Sequence, residues 1–219
     1  MIDINKEIAQ LNWNKEPRGL YEPIEYTLAS GGKRLRPHLA IIAAEAVING
    51  GLINSMDDVL PAALALEVFH NFTLVHDDVM DRAEVRRGQE TVHRKWNNNT
   101  SILSGDQMLI EAYKLLAQVP APKLPQVLKW FNEMATGVCE GQQYDMEFEH
   151  MSQVSIEDYL KMIELKTSVL LANAMRIGGY IAGADHSQQE ALYQYGLNIG
   201  IAFQIQDYIL DVSGDPKTF

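Results

Sequence analysis

The sequence predicts an all-α protein, and three observations predict it. Apolar residues recur at helical spacing along almost the whole chain, while the alternation of a half-buried strand is absent. Ala, Leu, Glu, Gln and Met, all strong helix formers, are plentiful. Breaks such as Gly31-Gly32, Asn49-Gly50-Gly51 and Val119-Pro120-Ala121-Pro122 fall between the periodic runs. With 219 residues, 47% of them hydrophobic, the chain can bury a substantial core. It reads as one domain spanning 1–219, without repeats, low-complexity segments or an internal boundary.

The elements follow in order. Tyr21 to Ala29 reads as a helix stopped by Gly31-Gly32. Pro37 suits the first turn of the next helix, which runs through Ala40 to Val47. After the break at Asn49-Gly50-Gly51, Asp57-Asp58 complement the start of a long apolar helix at Leu60. That helix carries through Val75 toward Asp81. Gly88 to Asn99 is polar and loop-like, with Trp96 as its anchor. Ser104-Gly105-Asp106 opens a helix over Gln107 to Ala117, and a turn at Val119 to Pro122 leads to a helix from Leu124 to about Glu147. Ser155, with Asp158 three residues on, reads as a capping box for a helix over Ile156 to Leu165. It meets the next helix at Lys166-Thr167, which continues to Ile181. Gly183 to Ser187 is a loop and Gln188 to Leu210 a final helix. Val212 to Phe219 reads as a loop with no following element, so the chain looks cut off mid-fold.

Charge and composition narrow the function. A net charge of −11 argues against nucleic-acid binding and against an anionic membrane surface, but not against small anions met by local basic clusters. The single cysteine, Cys139, excludes an intrachain disulfide and, in its apolar-rich stretch, reads as packing rather than as a nucleophile. Met1 to Pro17 has no secretory apolar core. The longest apolar run, Leu60 to Val75, is interrupted by Glu67, His70 and Asn71, which argues against a transmembrane segment. A soluble protein of a reducing, cytoplasmic compartment is expected.

The chemistry concentrates in His76-Asp77-Asp78-Val79-Met80-Asp81, followed by Arg82 and Arg86-Arg87-Gly88. On a continuing helix Asp77 and Asp81 stand at i and i+4, about 5–6 Å apart at Cβ. Carboxylates this close repel, and a divalent cation between them relieves the repulsion. Mg²⁺ suits such hard donors, because it completes its shell with water and phosphate oxygens. The arginines one turn later complement the phosphate. A second pair, Asp207 and Asp211, repeats the spacing, with Phe203 and Gln204 one turn earlier. Either pair alone reads more readily as an exposed helical face; both together, in apolar helices, fit a diphosphate clamped through several Mg²⁺ ions. His70 falls within about 20° of the line through Asp77 and Asp81. A lone helical histidine is ordinarily structural, but this alignment suits a place facing the site. Gly31-Gly32-Lys33-Arg34-Leu35-Arg36-Pro37 combines flexible glycines, three cations and a helix start, a composition that suits an anion site as well as a solvated loop. Lys166, beside Thr167 in an apolar helix, also fits a snorkelling lysine.

Taken together, HDDVMDRAEVRRG, GGKRLRP, the Lys166-Thr167 pair and FQIQDYILD with its following Gly-Asp resemble the trans-isoprenyl diphosphate synthases, or polyprenyl synthetases, from about Ser30 to Phe219. The resemblance implies an isoprenoid synthase-type bundle of antiparallel helices around a central cavity, here apparently lacking its C-terminal helices. It implies a head-to-tail prenyltransferase: an allylic diphosphate ionises with Mg²⁺ assistance, the double bond of isopentenyl diphosphate attacks, and a proton is lost. By the family pattern Asp77 and Asp81 hold Mg²⁺ from one side and Asp207 from the other. Arg86, Lys166 and Thr167 hold the allylic diphosphate, with Gln204 near it. Gly32, Lys33, Arg36, His70 and Arg87 hold isopentenyl diphosphate. Phe72 and Thr73, five and four residues before the first aspartate, form the floor that limits chain length; the large ring at Phe72 implies a C15–C20 product. Homodimerisation is a family expectation.

Two departures from the family keep alternatives open. Tyr208 stands where the family usually has a second adjacent aspartate, which implies weakened metal binding, and the family continues for several helices where this chain ends. A non-catalytic or regulatory subunit with the same fold is therefore a second reading. A terpene cyclase is a third, opposed by Gly32-Lys33, Arg36 and Arg87.

Overall fold

A computed structural model describes residues 2–48 and 56–213, with the side chains of 211–213 excepted. The expected break at Asn49-Gly50-Gly51, the terminal segment 214–219 and the side chain of Asp211 lie outside the described residues. Contacts group the described residues into two compact units, one drawn from 2–38 and 57–121, the other from 39–48, 56 and 122–213.

The first unit holds α1 (Ile4–Gln10), α2 (Arg18–Ala29) and the first turn of α3 (Leu35–Ile48), followed by α4 (Leu60–Met80). Asp3 caps α1 by accepting the Lys6 amide at 3.2 Å, and Pro37 sits in the first turn of α3 as expected. A short 3₁₀ turn, Met56–Asp58, leads into α4, which is buried on nearly all sides from Ala62 to Phe69. By length and composition alone the stretch Met56–Met80 could cross a membrane, yet 61% of its apolar window is buried inside this protein. Its buried Glu67 and Asn71 are bonded to each other and to Arg34, which is the pattern of a core helix.

Glu67 supplies the main internal answer. It pairs with Arg34 at 2.8 Å, and the two side chains are only 2% and 3% exposed. Arg34 also donates to the Leu28 carbonyl and, at 3.3 Å, to Asn5 Oδ1. Its backbone sits in the left-handed region, at φ 45°, which a side chain beyond glycine adopts only when its surroundings hold it there. Asn71 Nδ2 donates to the same Glu67 oxygen at 2.9 Å. Arg34 is thus committed to the interior, which corrects the expectation of three cations in the glycine-rich loop; Lys33 and Arg36 remain.

Beyond α4 the structure departs from the expected polar loop. Val85–Arg86 (β1) and Gln89–Glu90 (β2) pair as an antiparallel hairpin, so the described chain carries two short strands. Arg87 and Gly88 form its two-residue turn, both at positive φ (53° and 75°), the geometry whose twist matches paired strands. A four-residue helix, α5 (Val92–Lys95), follows. Trp96 is anchored as expected, edge-on to Tyr26 at 5.3 Å. Helix α6 (Asn98–Leu116) starts well before the expected Gln107, because Asn97 caps it through the Thr100 amide at 2.9 Å. Ser101, Ser104 and Gly105 then lie on its buried face, which packs on α4, and a Cβ on Gly105 would overlap the His76 ring.

The second unit holds the rest of α3 with α7 (Leu124–Phe148), α8 (Ile156–Ile163), α9 (Val169–Ile181) and α10 (His186–Ser213). Ser155 caps α8, its hydroxyl accepting from the Asp158 amide at 3.0 Å and donating to the Asp158 carboxylate at 2.7 Å. The expected meeting point at Lys166-Thr167 is a π-helical turn, Glu164–Ser168. Two glycines admit this widened turn. A Cβ on Gly141 of α7 would collide with the Lys166 backbone, and one on Gly200 of α10 would lie 2.6 Å from Ser168 Cα. The final helix continues through Ser213, past the expected end at Leu210. Cys139 is exposed on α7, which corrects its reading as a packing residue: the buried face runs through Val138, Gly141 and Gln142, and Cys139 is turned about 100° from Val138.

The buried pair gives a test. Replacing Glu67 alone by leucine strands the Arg34 charge and is expected to lower unfolding stability by about 3–5 kcal/mol. The double variant R34M/E67L is expected to recover most of that loss in urea unfolding. Equal loss in both variants would show that Arg34 is not held by this pair.

Candidate functional site

The site residues expected from sequence fall into two sets, one in each unit. In the first unit α4 delivers His70, Phe72, Thr73, Asp77 and Asp81. The helix ends with Asp81 as its cap, its amide bonded to the Asp77 carbonyl at 2.8 Å, so the one-turn spacing of the two acids is kept. Asp77 is partly exposed and Asp81 exposed. Among the described residues no three potential metal-ligating side chains of His, Cys, Asp or Glu cluster. Two adjacent hard oxygen donors open to solvent fit Mg²⁺, which takes one or two protein carboxylates and leaves the rest of its shell to water and phosphate.

The basic residues are gathered beside this end of α4. Arg87 donates to the Gly31 carbonyl and, at 3.4 Å, to Ser30 Oγ. Its guanidinium packs on Gly32, where a Cβ would come within 2.9 Å of Cζ, and Gly32 itself has φ 123°. Glycine at 32 therefore serves both the backbone and the arginine above it. Burial lowers the Arg36 guanidinium to about 10, with Glu67 opposing the shift and Arg87 adding to it. Arg36 Nε is buried without a partner among the described residues. Burial, then Arg36, Arg87, Arg86 and Arg34, hold the His70 imidazole well below its usual 6.5, so it is neutral near pH 7. Four guanidinium groups thus act electrostatically on His70, and among the described residues Glu67 pairs with Arg34 and Asp78 with Arg86. In a chain of net charge −11 this is a local positive field, suited to an anion.

Arg86 is tied to Asp78 at 2.7 Å. Asp78 is buried, and burial pushes its carboxyl up while the Arg86 hydrogen bond pulls it down. Phe72 lies between Phe69 and His76, at ring distances of 5.6 and 4.8 Å, and His76 is fixed in turn by the Ile102 carbonyl at 3.1 Å. Thr73 spends its hydroxyl on the His70 carbonyl at 2.8 Å.

In the second unit the π turn presents Lys166 and Thr167. Lys166 pairs with Asp145 of α7, and Thr167 donates to Gln204 of α10 at 3.2 Å. Asp207 is exposed on α10, one turn beyond Gln204. Tyr208 is 55% exposed and leans on Tyr159 at 5.8 Å. Sequence reasoning missed Asp78, Asp145 and Gln142. Gln142 is buried with neither amide atom partnered among the described residues, a state that calls for a water or ligand. The available signal was on α7: Gly137 and Gly141, four apart, with Gln142 and Asp145 following among residues otherwise apolar on that face.

The titration of His70 tests this arrangement. The unfolded chain takes up a proton near 6.5 and the folded chain only at lower pH, so His70 lowers stability as pH falls below 6.5. An NMR titration is expected to place its midpoint well below 6.5 in the apo protein and to move it upward when inorganic diphosphate is added. A midpoint at or above 6.5 without the anion would contradict the arginine field.

The family model described as Polyprenyl synthetase matches residues 17–219. The chain is 46% identical over 200 residues to a geranylgeranyl diphosphate synthase of Methanosarcina mazei, covering 90% of this chain and 60% of that protein. It is 39% identical to a geranylfarnesyl diphosphate synthase of Natronomonas pharaonis, covering 96% and 65%. Among solved structures, a geranylgeranyl pyrophosphate synthase superposes with a TM-score of 0.91 at 50% identity, covering 97% of this chain and 64% of that one. A heptaprenyl diphosphate synthase from Staphylococcus aureus superposes at 0.89 with 30% identity, covering 98% and 65%. The chain thus spans about three fifths to two thirds of the length of these relatives. The helical fold is that of the isoprenyl diphosphate synthases, and the chain belongs to the polyprenyl synthetase family.

Proposed function

We propose that the protein is a Mg²⁺-dependent trans-prenyltransferase that joins isopentenyl diphosphate to an allylic diphosphate and releases a short-chain, C15–C20, prenyl diphosphate. The observation that carries the reading is the pair Arg86, held on Asp78, and Arg87, seated on Gly32, beside the two acids that end α4. Family membership supplies the reaction.

Each residue then has a role that its chemistry suits. Asp77 and Asp81, with Asp207, are carboxylate ligands for Mg²⁺. When bound, the metal neutralises charge on the departing diphosphate. Arg86, Lys166 and Thr167 hold the allylic diphosphate and stabilise the charge it gains as the C–O bond breaks, with Gln204 keeping Thr167 in place. Gly32, Lys33, Arg36, His70 and Arg87 hold isopentenyl diphosphate, with the Arg87 guanidinium seated on Gly32. Phe72, wedged between Phe69 and His76, limits the growing chain, with Thr73 beside it. Asp145 keeps Lys166 extended. The protein works as a cytoplasmic homodimer.

The assay combines purified protein, Mg²⁺, labelled isopentenyl diphosphate and an allylic primer, with products sized by chromatography. Elongated prenyl diphosphate is expected, and it should disappear on chelation and in D77A, where turnover falls by at least about 10³-fold, as for loss of a charge-stabilising group. No turnover from a well-folded wild type would point to a non-catalytic subunit, and hydrocarbon from the primer alone to a cyclase. Phe72→Ala is expected to lengthen the product; an unchanged product would remove Phe72 from the floor.

A further inference from the structure

Three neighbouring acids end α4, and they do not share a fate. Successive helical residues turn by about 100°, so Asp78 faces away from Asp77. Glu67 and Asp78, eleven residues apart, fall within about 20° of one line. That line is the buried one, with Glu67, Asn71 and Asp78 along it. Each acid on it holds an arginine from a different segment: Glu67 takes Arg34 of the glycine-rich loop at 2.8 Å, and Asp78 takes Arg86 of the hairpin at 2.7 Å. Asp77 and Asp81 stand on the exposed side. Asp78 engages only Arg86 Nε, and among the described residues neither terminal nitrogen of that guanidinium has a hydrogen-bond partner. The terminal edge, with its parallel N–H donors, is the edge that binds a phosphate in bidentate fashion.

From this we infer that Asp78 is a positioning residue rather than a metal ligand: it holds Arg86 through Nε so that the terminal edge of the guanidinium is preset for the allylic diphosphate. The inference rests on the prenyltransferase reading for the identity of the anion. An arginine in solvent must give up rotamer freedom when it is fixed. Here a nearly buried carboxylate fixes it before the substrate arrives. The hairpin contributes to the same positioning. Arg86 pairs with Gln89 across the two-residue turn, and Thr91 Oγ1 ties the hairpin base to the Ala83 carbonyl at 2.7 Å.

The test uses D78N, which keeps the shape of the side chain and removes the charge, with R86Q and the double variant D78N/R86Q. Hydrogen exchange over residues 85–90, calorimetric affinity for inorganic diphosphate with Mg²⁺, and steady-state kinetics with each substrate varied are compared with wild type. In D78N the hairpin amides are expected to exchange faster. Diphosphate affinity should fall about tenfold, as loss of one charge-assisted hydrogen bond implies. KM for the allylic substrate should rise by about the same factor, while KM for isopentenyl diphosphate stays within about twofold and kcat within about threefold, a split that a general loss of structure does not produce. In the R86Q background D78N should add nothing. An active wild type with unchanged hairpin exchange, affinity and KM in D78N overturns the positioning role and leaves the prenyltransferase reading intact. Loss of kcat with altered Mg²⁺ dependence also overturns it, by making Asp78 a metal ligand. If the wild type neither turns over nor binds diphosphate, the functional reading fails, and hairpin exchange alone decides the role of Asp78: faster in D78N upholds it, unchanged overturns it.

Discussion

Like charges must be held close together at the end of α4, and the first unit is organised to make that tolerable. Glu67, Asp77, Asp78 and Asp81 lie on one helix, and Arg34, Arg36, Arg86 and Arg87 approach it from the loop and the hairpin. In a low-dielectric interior an unpaired member of such a set would cost several kcal/mol. The cost is avoided by division. Two acids turn inward, each on an arginine, and two turn outward toward solvent. Two arginines are neutralised, and Arg36, Arg87 and the terminal edge of Arg86 keep an electrostatic surplus for an anion. Burial first, and for His70 the neighbouring arginines after it, lower the basicity of Arg36 and His70.

The second unit solves a different problem, that of presenting a lysine and a threonine from the middle of a helix. A regular helix has no reason to turn Lys166 out of its apolar surroundings. The π turn at Glu164–Ser168 widens the backbone there, and the missing side chains of Gly141 and Gly200 let α7 and α10 close over it. Asp145 and Gln204 then fix the two side chains. Insertions of this kind recur at functional sites because they alter the direction of a side chain without ending the helix. Tyr208 does not disturb this arrangement within its unit, since it leans outward on Tyr159.

Much of this was legible in the sequence, for reasons that can be named. The long helices were legible because their apolar period is sustained, and the pair Asp77–Asp81 because its chemistry depends only on a local spacing. The hairpin was not: each strand is two residues long, too short for alternation, and only Gly88 at the turn marked it. The start of α6 was hidden by a polar first turn whose capping residue, Asn97, looked like more loop. Asp78 read as one more acid in a run, since sequence does not say which of three neighbours faces inward. Arg34 read as a surface cation because its partner, Glu67, lies thirty-three positions away. Distant pairings and the choice of buried face are tertiary facts, and these were the expectations that changed.

The most direct measurement is a crystal structure of the protein with Mg²⁺ and inorganic diphosphate. Metal is expected on the carboxylates of Asp77 and Asp81, and diphosphate oxygens on the terminal nitrogens of Arg86. Asp78 should remain on Arg86 Nε, and Arg34 buried on Glu67. Metal bound by Asp78, or diphosphate held away from Arg86, would contradict the division of charge on α4.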